Sequence, residues 1–91
     1  MSLVIQIGNS DDKLTQKQWA AFVLEVRDLV EQSTQIHFWG ASVNYEPWQN
    51  LCCVCDPGSH NLEFVLERLT IIRKRYQQDS VAVVIGEPKF I

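Results

Sequence analysis

Three cysteines crowd one short stretch, Cys52, Cys53 and Cys55, and His37 stands upstream between an isoleucine and two aromatics, Phe38 and Trp39. Thiol and imidazole are the side chains that ligate zinc or act as nucleophile and base. The spacing argues against a metal. Structural zinc sites favour C-x₂₋₄-C knuckles in turns, and a C-C-x-C run inside a strand divides its sulfurs between two faces. Cysteine is also a common small core side chain, and core packing is the main expectation for this cluster. No metal and no cofactor are expected. A catalytic thiol with His37 or His60 as base is a minor reading.

The ligand or interface candidates are His37, Trp39, Glu46, Trp48 and Cys52. On an apolar strand face His37 is suited to act as a general base, with Glu46 from the following loop orienting it. The same ring is equally at home in an interface where hydrogen bonds satisfy it, and that plainer reading is preferred. No catalytic set is named. Asp11, Asp12 and Asp79 follow no metal-ligand spacing. Arg68, Arg73, Lys74 and Arg75 cluster where a helix should end, and the negative end of the helix dipole accounts for them.

Elements that position these residues are legible from periodicity. Residues 3–7 alternate as a first strand, and Gly8-Asn9-Ser10-Asp11-Asp12 ends it with turn residues. Thr15 then offers an N-cap with Gln18 as its capping-box partner, and Leu14 and Trp19 a hydrophobic staple. Trp19, Phe22, Val23, Val26 and Val30 recur every three or four residues as the stripe of a first helix. Residues 35–41 read as strand two, 43–48 as a loop containing Pro47, and 49–55 as strand three. Asp56-Pro57-Gly58-Ser59 turns the chain into a second helix, striped by Leu62, Val65, Leu66, Leu69, Ile72 and Tyr76. Residues 80–85 form the last strand before Gly86 and Pro88.

The order strand, helix, strand, strand, helix, strand in 91 residues predicts one α+β domain over 1–91. It is a ferredoxin-like βαββαβ sandwich, a four-stranded antiparallel sheet with two helices on one face. Alternation assigns Leu3, Ile5, Ile7, Ile36, Phe38, Val81, Val83 and Ile85 to the helix face. The other face should carry Val4, Gln6, His37, Trp39, Ala41, Ala82 and Val84, joined by Cys52 and Val54. No helix covers that second face, and it is too apolar for water. A homodimer packed sheet to sheet is the leading expectation, and Trp39→Glu should dissolve it. The alternatives are a cover made by the 43–48 loop and the Phe90-Ile91 tail, or a small-molecule pocket under Trp39 and Trp48, as in a dimeric α+β barrel enzyme.

Several classes are disfavoured. A net charge of -3 does not attract nucleic acid or anionic membrane. No apolar run approaches the roughly 20 residues of a membrane span, and no signal-peptide pattern opens the chain. Crowded cysteines of odd number suggest a reducing cytoplasm. RNA-recognition modules of this fold stack bases on aromatics of strands one and three, where this chain has Val4, Gln6, Cys52 and Val54. The first loop holds no C-x-x-C for a heavy metal and no arginine for an acyl phosphate. There is no H-E-x-x-H, no G-x-S-x-G and no glycine-rich phosphate loop.

Two segments, Leu14-Thr15-Gln16-Lys17-Gln18-Trp19-Ala20-Ala21-Phe22 and Tyr76-Gln77-Gln78-Asp79-Ser80-Val81, carry a resemblance. In them the chain resembles a group of small uncharacterised bacterial proteins of this architecture. The resemblance implies the fold and no activity.

Overall fold

Alternation of Leu3, Ile5 and Ile7 with Val4 and Gln6 makes β1 (Ser2–Gly8) the central ribbon of the molecule. The computed structural model describes residues 1–9, 13–42 and 49–91. After β1 come α1 (Gln16–Ser33), β2 (Gln35–Ala41), β3 (Asn50–Asp56), α2 (Gly58–Arg75) and β4 (Ala82–Gly86). The strands lie in the order β2-β3-β1-β4, and every neighbouring pair is antiparallel. This is the ferredoxin-like βαββαβ arrangement that the element order predicts. Both edges of the sheet, β2 and β4, are free among the described residues.

One core fills the space between sheet and helices. Leu3, Ile5, Ile7, Leu51, Cys53 and Cys55 meet Phe22, Val26, Leu29 and Val30 of α1 and Val65, Leu69 and Ile72 of α2. Phe22 stacks on Tyr76 at 5.1 Å between centroids, and Trp19 turns its edge to Phe22 at 6.0 Å. The Arg75 guanidinium also bonds the Glu25 carboxylate across the helices.

Local chemistry sets the helix ends. Thr15 Oγ1 accepts from the Gln18 amide at 3.1 Å, and Gln18 Oε1 accepts from the Thr15 amide at 2.8 Å. That reciprocal cap is worth about 1 kcal/mol. At the start of α2 the Asp56 carboxylate accepts from the Gly58 amide at 2.8 Å, and Gly58 takes φ +66°, a conformation glycine adopts without strain. The exit of α2 is a Schellman motif: the Gln78 amide donates to Arg73 O and the Gln77 amide to Lys74 O. Its left-handed position is held by Gln77, at φ 55°.

A buried polar cluster ties β1 to the start of β3. Asn9 Nδ2 donates to Leu14 O and to Gln49 Oε1, and Asn9 Oδ1 accepts from the Leu14 amide, all at 3.0–3.1 Å. Gln49 also exchanges hydrogen bonds with Gln16 at the first turn of α1. Asn9 thus holds the two ends of the β1–α1 connection together as a backbone bridge would.

The phase of β2 corrects the sequence expectation. Ile36 pairs with Cys55, but Phe38 pairs with Val54, leaving His37 as the extra residue of a β-bulge. A one-residue slip moves every later side chain to the opposite face. Phe38 therefore joins the open face. Trp39 and Ala41, expected there, pair with Cys53 and Leu51 on the helix side. Arg27 of α1 covers the Trp39 ring at 4.7 Å. In β4, Val83 and Ile85 do share the helix face with Ile5 and Leu3, yet remain 39% and 46% exposed.

Candidate functional site

Register across the four strands sorts the open face into two rows. The first runs Phe38, Val54, Val4, Val84 from edge to edge. The second runs Gly40, Cys52, Gln6, Ala82 beside it. Branched side chains raise Val54, Val4 and Val84 into a ridge; the second row is lower at Cys52 and Ala82, is crossed by the longer Gln6 between them, and is covered at Gly40 by the ring of Phe38. The ends of the first row stand well out of the protein, Phe38 54% and Val84 63% exposed. Beside Phe38 the second row opens into a concavity of about 500 Å³, reached by Gln6, Ser42, Asn50 and Cys52. Ser42 and Asn50 exchange hydrogen bonds at 2.8 and 2.9 Å that close the β2–β3 hairpin there.

The predicted site residues do not converge. Cys52 lies half-buried on the open face, as expected. Trp39 sits on the other side of the sheet, beneath Arg27. His37 is exposed at the bulge. Glu46 and Trp48, and with them the expected His37–Glu46 pair, lie outside the described residues. Phe38 and Gly40 are the open-face residues that strict alternation missed. A bulge leaves no reliable mark in a sequence, although a glycine two residues after an aromatic in a strand is a hint of one covering the other.

Cys53 and Cys55 share the helix face, as their spacing predicts, and both are buried. Cys55 Sγ donates to Leu3 O at 3.6 Å. The Cys53 thiol is pushed well up, first by its hydrogen bond with Cys55 and then by burial. It is a protonated core group and no nucleophile for a substrate in solution. At the far end of α2, Arg73 donates to the carbonyls of Gln78 and Asp79, and Arg75 to Glu25, so this basic turn serves the fold.

The Phe90 side chain is 91% exposed, and the tail does not cover the open face. No helix is long and apolar enough to cross a membrane, among the described residues. In comparisons with known proteins, no protein-family model and no curated relative matches the chain.

Proposed function

We propose that the chain is a homodimeric binding or interaction module that buries its open sheet face against a second copy. The observation that carries this is the row of Phe38, Val54, Val4 and Val84 lying beside the row of Gly40, Cys52, Gln6 and Ala82. A twofold axis running across the strands, between the two rows, sets Val54, Val4 and Val84 of each copy against Cys52, Gln6 and Ala82 of the other. One surface then complements itself, as an isologous dimer requires. The rows contain no Lys, Arg, Asp or Glu, which suits a protein partner and not nucleic acid.

Size sets the strength. Four strands at about 4.8 Å spacing and some six residues at about 3.3 Å cover roughly 400 Å² in plan on each copy. Two such faces reach only the lower edge of the ~1,200–2,000 Å² buried in stable complexes, even allowing for side-chain relief. The dimer is accordingly of moderate affinity. A cytoplasmic location is part of the proposal and rests on the three free thiols.

The test is the solution mass of the wild type and of Phe38→Glu by light scattering. A carboxylate in the first row would be stranded in the interface, so this variant should halve the mass while keeping the circular dichroism of the fold. An unchanged mass removes the open face from any interface. Trp39→Glu, the obvious choice under strict alternation, would instead strike the helix side and the fold.

A second reading, a small-molecule site or small enzyme of the dimeric α+β barrel kind, is favoured by one observation. The concavity of about 500 Å³ beside Phe38 has both apolar walls and the polar groups of Gln6, Ser42 and Asn50. That size is common for ligand pockets. It would give a ligand-dependent rise in melting temperature that Phe38→Glu, in the wall of the concavity, abolishes.

A further inference from the structure

We draw no further inference here: the strongest candidate, the groove between α1 and α2 lined by exposed Asp28, Arg68 and Phe64 together with buried Leu29 and Ile72, carries nothing, because both charges sit in water as on any solvated helix face and nothing in the structure shows what covers it.

Discussion

The Phe38 ring occupies the space that a side chain at position 40 would fill: a β-carbon built on Gly40 stands 2.5 Å from Phe38 Cζ. An aromatic covering a strand glycine restores packing that the glycine forfeits. It also anchors one end of the row on which self-association is proposed to rest. Gly40→Ala must push the ring aside. Since only the tip of a flexible side chain has to move, stability should fall by less than about 1 kcal/mol. Association should suffer more, because the displaced ring changes the relief of the open face. Melting temperature and solution mass together check this. A large thermal loss without a change in mass would contradict it.

Asn9→Ala removes the clamp that holds the β1–α1 connection. Its amide serves Leu14 twice and Gln49 once, all in a buried setting. Leaving those partners unsatisfied should cost about 2–3 kcal/mol. Chemical denaturation gives the value directly, and a loss below about 0.5 kcal/mol would show that water replaces the clamp.

Gln77 holds a left-handed position that glycine prefers, at φ 55°. Gln77→Gly should stabilise the protein by about 0.5–1 kcal/mol, provided the Schellman bonds persist. A lower denaturation midpoint in the glycine variant would mean that the Gln77 side chain contributes more than its backbone costs.

Tyr76 predicts an alkaline limit to stability. Its hydroxyl is raised above the ordinary value near 10, first by hydrogen bonding with Glu25 and then by burial. The folded state thus keeps a proton that the unfolded state gives up. This contribution is complete below about pH 10 and is lost as pH rises beyond it. Tyr76→Phe keeps the ring stack on Phe22 and should flatten the fall in melting temperature above about pH 10. Parallel curves for the two proteins would exclude the linkage.

The fold was legible because its signals are local. The Thr15–Gln18 cap, the two helical stripes and the period of two in β1 and β3 each place their own element. The site was half legible. Val4, Gln6, Cys52, Val54, Ala82 and Val84 all fall on the expected face. Phe38 and Trp39 exchange faces because a single extra residue, His37, resets the alternation, and nothing at His37 itself announces it. The Asn9–Gln49–Gln16 cluster was not legible either, since it joins side chains far apart in sequence whose types are common in turns.

Buried contact between two open faces is the central claim, and isotope-filtered NOEs between labelled and unlabelled copies test it most directly. Mixed samples should show cross-chain contacts from the methyls of Val4, Val54 and Val84 to the partner's Gln6, Cys52 and Ala82. Cross-chain contacts found at other surfaces alone, or none at all at concentrations where the proposed dimer should form, would contradict the account.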